Sequence, residues 1–396
     1  YIQLQDMQKN LLVSPTPKIN PDINFKLRVV TMKIRDTLEP NTTYSVDMGN
    51  SIQDINENNP YRNFRYVFST GSYIDSLQFS GNVQLAQTGK ADSTLIVLLY
   101  NDLDDSAVLK KKPRYITRLD SSGKFTFANL APGEYHVYAL KDESGQKYYN
   151  SKTELFAFAD SSILVDGNVT TVNLFAYAEE IQVPKSSTAA PSAADKSLKY
   201  TTSLSSGVQD ILSPLTLTFN HKLADFDSVK VSLTDTLFNP HKLTSVSIDS
   251  TGKKITIQNA WEENMPYQLN IPVDFVKDTL GNALAKADTI KFKTKKEGEY
   301  GSIKINFSNL DKFKTPVLQF VLNNEVVKSY PLTSPLWQAR LFNPGEYELR
   351  ILDDLNQDGI WNPGNYELKK QPEKVYSMPQ KINIRANWEN EKDIIL

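Results

Sequence analysis

The sharpest chemical pattern in the chain is Asp354-Leu-Asn356-Gln-Asp358-Gly359. Hard oxygen donors stand at its first, third and fifth positions, and the glycine at the sixth permits a sharp turn. That is the opening half of a Ca²⁺ loop. On this reading the side-chain oxygens of Asp354, Asn356 and Asp358 and the carbonyl of Ile360 converge on one ion at about 2.3–2.6 Å. The twelfth position is Asn365 instead of a bidentate Glu, and the nearest Glu is Glu367. Affinity is therefore expected near the ~10⁻⁴–10⁻³ M of extracellular modules. The alternative is an Asx-rich turn in which Gly359 takes positive φ. No cofactor is required on either reading, and calcium would be a structural ion.

Few other side chains could carry a reaction. The chain has no cysteine, which removes disulfides, thiolate metal sites, iron–sulfur clusters and thiol nucleophiles together. Its three histidines, His136, His221 and His241, are far apart in sequence and read as packing or surface residues. There is no Gly-x-Ser-x-Gly elbow, no Walker loop and no dinucleotide glycine fingerprint. Trp261, Trp337, Trp361 and Trp388 could stack on sugars, but scattered Trp among strands usually belongs to cores or interfaces. The basic run Lys110-Lys111-Lys112 with Arg114 lies beside Asp102, Asp104 and Asp105, which reads as a locally balanced loop. With 44 basic and 46 acidic residues the net charge is −2, so the basic face of a nucleic-acid binder is not expected. No apolar run approaches the ~18–20 residues that span a bilayer.

The elements that must position these residues are strands. Segments 93–100 (STLIVLLY), 124–130 (KFTFANL), 171–177 (TVNLFAY), 215–219 (LTLTF) and 253–257 (KKITI) are short and rich in β-branched and aromatic residues. Turn signals such as Asp120-Ser-Ser-Gly123, Pro132-Gly133, Asp249-Ser-Thr-Gly252 and Pro344-Gly345 separate them. This punctuation predicts an all-β chain of sandwiches with little helix.

The sequence also repeats. Tyr44, Asp54, Phe68 and Thr70 recur as Tyr267, Asp278, Phe292 and Thr294, at an offset of 223 for the Tyr pair and 224 for the others. A second motif, Pro132-Gly-Glu-Tyr135, recurs as Pro344-Gly-Glu-Tyr347 at an offset of 212. The order is A-B-A-B, and the shorter offset makes the first B module the longer one, around 87–113. The expected domains are 1–71, 72–180, 208–298 and 299–396, with a Pro-, Ser- and Ala-rich linker over 181–207. The second A module opens with Leu215-Thr-Leu-Thr-Phe219, and the first shows no such strand. A sheet missing a strand exposes an edge, so the natural polypeptide is expected to continue upstream of Tyr1.

On those motifs the A modules resemble bacterial Ig-like domains of the S-layer-associated type. The B modules, through Gly123-Lys-Phe125-Thr-Phe127-Ala-Asn129-Leu130-Ala-Pro132-Gly133-Glu-Tyr135, resemble prealbumin-like sandwiches of carboxypeptidase regulatory domains. The whole order, including 1–15, 36–71, 123–142 and 354–373, resembles exported Ig-domain lipoproteins of Bacteroidota. The resemblance implies a lipid anchor outside this chain, at the cell outer membrane, on a face the sequence does not choose. It implies a non-enzymatic, rod-like scaffold whose partners are subunits of an outer-membrane complex for barrel assembly, secretion or nutrient uptake. A surface glycan-binding or adhesion protein is the alternative. Triplets such as Asp36-Thr-Leu, Asp75-Ser-Leu, Asp235-Thr-Leu and Asp278-Thr-Leu resemble the O-glycosylation signal of such proteins, and equally fit ordinary turns.

Overall fold

The computed structural model describes residues 1–62, 64–167, 171–180 and 197–396. Among these, α-helix is confined to two four-residue turns, Met7–Asn10 and Ala107–Lys110; short 3-10 turns stand at Ser228–Lys230, Val273–Phe275, Glu297–Glu299 and Leu310–Lys312, and strands make up the rest of the regular structure. The all-β expectation holds.

The second A module shows why its sequence makes a sandwich. Leu215–Phe219 alternates Leu215, Leu217 and Phe219 inward with Thr216 and Thr218 outward, the period of a half-buried strand. It lies antiparallel to Lys254–Gln258, which carries Ile255 and Ile257, and that strand pairs in turn with Ser245–Ile248. A second sheet places Pro266–Ile271 between Ser232–Asp235 and Asp288–Thr294. The core holds Trp261, Tyr267, Leu269, Phe275 and Phe292 with the inward leucines and isoleucines. Tyr200–Thr202, assigned by sequence to the linker, is a strand on Leu215–Phe219 because Tyr200 packs on Phe219, with ring centroids 5.7 Å apart. The 181–196 part of that linker lies outside the described residues.

The first A module keeps the same register. Tyr44 faces Phe68 across the sheet as Tyr267 faces Phe292, and both tyrosines are buried. The ring centroids are 5.5 and 5.7 Å apart. Thr70 Oγ1 donates to the Glu39 carbonyl at 2.6 Å and accepts from the Thr42 N–H at 3.0 Å. Thr294 Oγ1 donates to the Glu262 carbonyl at 2.6 Å and accepts from the Met265 N–H at 2.8 Å. The repeat breaks at the hairpin Asp22–Lys26 and Val29–Lys33, which forms a two-stranded sheet by itself.

The two B modules share one pairing scheme. In the first, Gly133–Leu140 pairs with Ile96–Tyr100, Phe156–Phe158 and Ile163–Val165. Leu77–Leu85 lies between Lys124–Leu130 and, in parallel, Val172–Ala176. In the second, Gly345–Asp353 pairs with Pro316–Leu322, Val375–Ser377 and Ile382–Ile384, and Gly301–Ser308 lies between Leu336–Phe342 and, in parallel, Glu389–Ile395. Where residues 101–114 connect two strands of the first copy, Asn323 and Asn324 suffice in the second. This is the extra length that the offsets demand.

The chain forms two compact units, and their limits are not those of the modules. One comprises Tyr1–Val183, Phe313–Leu332 and Glu348–Gln380; the other comprises Pro184–Lys312, Thr333–Tyr347 and Lys381–Leu396. The strand Gly345–Asp353 contributes residues to both.

Candidate functional site

Segment 354–373 carries the predicted site. Asp354 is buried, and its carboxylate accepts from the Asp358 N–H at 3.3 Å and the Gly359 N–H at 2.8 Å. Asp358 Oδ1 accepts from the Ile360 N–H at 2.8 Å, while its Oδ2 accepts from Asn356 and Asn362 side chains, each at 3.0 Å. Those partners hold the Asp358 carboxyl below its ordinary range, the Asn362 amide foremost. The Ile360 carbonyl accepts from Asn362 Nδ2 at 2.9 Å. Gly359 takes the expected positive φ of +78°. The loop thus closes on its own hydrogen bonds.

A residue that local spacing did not indicate braces this turn. Glu373 is buried; its carboxylate accepts from the Leu355 and Asn362 N–H groups, each at 2.9 Å, and its carbonyl accepts from Trp361 Nε1 at 2.8 Å. Among the described residues no three His, Cys, Asp or Glu are grouped to hold a metal ion.

The same segment then docks into the first B module. Tyr366 is buried among Tyr138, Tyr149, Phe156 and Phe158, mostly edge-on to their rings. Its hydroxyl is 3.1 Å from that of Tyr138 and donates to the Asp105 carbonyl at 2.8 Å. Burial pushes the Tyr138 hydroxyl up to about 12 and raises Tyr366 further, so both stay neutral donors. The Glu179 carboxylate, nearly buried, accepts from the Tyr366 N–H at 3.0 Å and the Tyr149 hydroxyl at 3.3 Å. Lys369 covers the Tyr366 ring at 3.9 Å and pairs with Asp105 at 2.8 Å. Gly364 admits the approach: a Cβ there would stand 2.6 Å from the Tyr177 ring.

Polar locks join the first A and B modules as well. Ser14 Oγ accepts from the Ile116 N–H at 2.9 Å, the Arg114 guanidinium holds both oxygens of Glu39 at 2.8 and 3.2 Å, and Arg118 pairs with Asp47 at 3.1 Å. In the other unit Asp210 accepts from the Tyr300 hydroxyl at 2.7 Å and from Asn343 at 2.9 Å. Burial would raise the Asp210 carboxyl, but Tyr300, the Leu212 N–H and Asn343 outweigh it and hold it low.

The remaining candidates have structural places. Trp261 is buried with its Nε1 on the Ser213 carbonyl, Trp337 and Trp361 are half-buried, and Trp388 is exposed. His241 packs edge-on to Tyr267, His136 lies 3.1 Å from the Tyr138 hydroxyl, and His221 meets Asp278 at 3.1 Å. Lys111 pairs with Asp102, which balances the basic run. Asp235 and Asp278 each close a turn on their own Asp-x-x-x-Asn segment, accepting from the N–H groups two and four residues on and from the Asn side chain. Thr236 and Thr279 of those triplets are exposed.

Comparison with known proteins supports the Ig-like reading of the A modules. Residues 1–70 and 184–294 each match the bacterial Ig-like domain family, and residues 87–165 match a family described as domain II of polysaccharide lyase family 4. No curated protein matches. Among solved structures, the N-terminal part of the bacterial S-layer protein SbsC is 13% identical, over 39% of this chain and 40% of that one, with a TM-score of 0.23. The major pilin subunit BcpA of Bacillus cereus is 10% identical, over 82% of this chain and 99% of that one, with a TM-score of 0.19. The T6 backbone pilin of Streptococcus pyogenes is 10% identical, over 79% and 81%, with a TM-score of 0.18. The aligned part of this chain spans less than half of the S-layer fragment. Among the described residues no helix is long and apolar enough to cross a membrane.

Proposed function

We propose that this chain is a non-enzymatic scaffold whose modules are locked together to present fixed surfaces to a partner. The observation that carries this is the seat of Tyr366. A segment more than two hundred residues away in sequence fills an aromatic socket of the first B module, with the Tyr366 hydroxyl and N–H both paired. Such burial orders modules that a flexible array would leave free. The acidic and aromatic groups of the contact are used in packing and turn closure, and none is arranged as a nucleophile with its base. The polysaccharide-lyase name attached to 87–165 describes that family's domain II and brings no acid–base pair here.

The finer reading is an accessory lipoprotein of an outer-membrane complex in a Bacteroidota cell. It is supported by the alternation of modules and by the resemblance of the quoted motifs. Its partner would be a membrane barrel or its associated subunits, in barrel assembly, secretion or nutrient uptake. The test is affinity capture of the tagged native protein from detergent-solubilised envelopes. Stoichiometric recovery of barrel subunits is the expected result. Recovery of the chain alone, with binding on a glycan array that Trp388→Ala abolishes, would replace the scaffold by the glycan-binding alternative.

A further inference from the structure

The two A modules share a strand register, and the first shows a use for groups that the second leaves over. Ser14 lies opposite Ser45 in the first copy, and Thr234 lies opposite Gln268 in the second. Since Tyr44 corresponds to Tyr267, Ser45 corresponds to Gln268 and Ser14 to Thr234. Glu39 corresponds to Glu262, because their carbonyls accept from Thr70 and Thr294 in turn. In the first copy the strand of the neighbouring B module takes both side chains. Ser14 Oγ accepts from the Ile116 N–H at 2.9 Å, and Arg114 takes both Glu39 carboxylate oxygens at 2.8 and 3.2 Å. The Thr16 N–H adds a main-chain bond to the Arg114 carbonyl at 2.9 Å. In the second copy Thr234 Oγ1 is buried and has no hydrogen-bond partner among the described residues. Glu262 is exposed, and among the described residues no cation pairs with its carboxylate.

The flank of Ser232–Asp235 is covered by a strap of the same module. Across from Thr234 stands Pro240, which has no N–H to give. Asp235 closes the turn, but the strap beyond it pairs over two residues only, Pro240–His241. Phe238 has a φ of +63°, an uncommon and costly conformation for a bulky side chain. Leu237 and Phe238 are 78% and 75% exposed, so no apolar burial holds the strap down. We propose that this flank is a docking edge for an extended strand of a partner protein. An arginine of that strand takes Glu262, and the main-chain N–H two residues further on takes Thr234 once Pro240–His241 swings aside. Arg114 and Ile116 supply the pattern, and the unpaired acid supplies the charge preference. Asp47, which pairs with Arg118, corresponds to Asn270, so a second arginine gains nothing there. This inference rests on the scaffold reading, of which it names one face.

The test titrates the 396-residue chain into a fluorescein-labelled peptide, Lys-Pro-Arg-Tyr-Ile-Thr-Arg-Leu, the sequence of residues 112–119, and reads anisotropy. Saturable binding is expected, weakened about fivefold by Arg114→Gln in the peptide and unaffected by Arg118→Gln. Glu262→Gln in the protein should weaken the native peptide by the same factor and the Arg114→Gln peptide no further. Thr234→Val should weaken binding too. It should leave the melting temperature of the free chain unchanged or higher, because it removes an orphaned hydroxyl. In hydrogen exchange read by mass spectrometry, the peptide should slow residues 232–235 and quicken residues 237–241. Absence of saturable binding, or binding that Glu262→Gln and Thr234→Val leave intact, overturns the edge even where the tagged chain captures a membrane complex. Binding with these dependences upholds the edge even where no complex is captured, and the failure then belongs to the complex and not to the edge.

Discussion

Single residues here act mainly by closing turns, and Asp278 shows how that couples to pH. Burial alone would raise its carboxyl, but the Asn282 side chain and N–H, His221 and the Leu280 N–H together bring it to about 2. A carboxyl held below its ordinary value stabilises the fold above that ordinary value, and the gain disappears as pH falls through the folded one. Asp278→Asn should therefore lower the melting temperature at pH 6, and the gap to the native chain should close between about pH 4 and pH 2. A gap that stays constant down to pH 2 would exclude the carboxylate as its cause. Asp354 makes a second case. Because it already accepts from Asp358 and Gly359, the amides of the loop should stay protected in chelator and lose protection in Asp354→Ala. A rise of several degrees in melting temperature in millimolar Ca²⁺ would add a metal to the turn. The pattern of Asp354, Asn356, Asp358 and Gly359 was legible in the sequence because its partners are local. Glu373 was not, since it reaches the loop from 18 residues beyond Leu355 and no spacing rule records that.

Elements were legible wherever the period of a strand coincided with a repeat. Tyr44 and Tyr267, Phe68 and Phe292 fall at equivalent register positions because the same cross-strand pair recurs in both A modules. The Thr70 and Thr294 hydroxyls make the same two bonds in each copy. Thr294→Val removes the acceptor of the Met265 N–H and should cost about 1–3 kcal/mol in urea unfolding, and Thr70→Val should cost a similar amount through Thr42. A silent Thr70→Val beside a costly Thr294→Val would show that the first module tolerates an unpaired N–H that the second does not. Tyr200–Thr202 escaped the sequence reading because three residues beside a Pro- and Ser-rich stretch carry too little pattern to mark a strand. Their register comes from the neighbouring Leu215–Phe219.

At the scale of the molecule, the modules alternate as the offsets require, while the compact units cut across them. The cause is side-chain chemistry at long range. Tyr138 and Tyr366 are 228 positions apart, and an aromatic socket of this kind leaves no periodic trace in sequence. The consequence can be measured. Removing 299–396 takes Phe313–Leu332 and Glu348–Gln380 out of the unit that contains the first two modules, and bares the rings of Tyr138, Phe156 and Phe158. Deleting one buried aromatic costs about 3–5 kcal/mol, and each kcal/mol moves the melting temperature of a unit this size by about 2–4 °C. The truncated chain should therefore melt on the order of ten degrees lower than the same unit in the full chain. Tyr366→Phe in the full chain separates packing from polarity: it keeps the ring in its socket, withdraws the bond to Asp105, and should cost only about 1 kcal/mol. Independent beads would behave otherwise. Their first two modules would melt at the same temperature with or without 299–396, and that equality would exclude a locked scaffold.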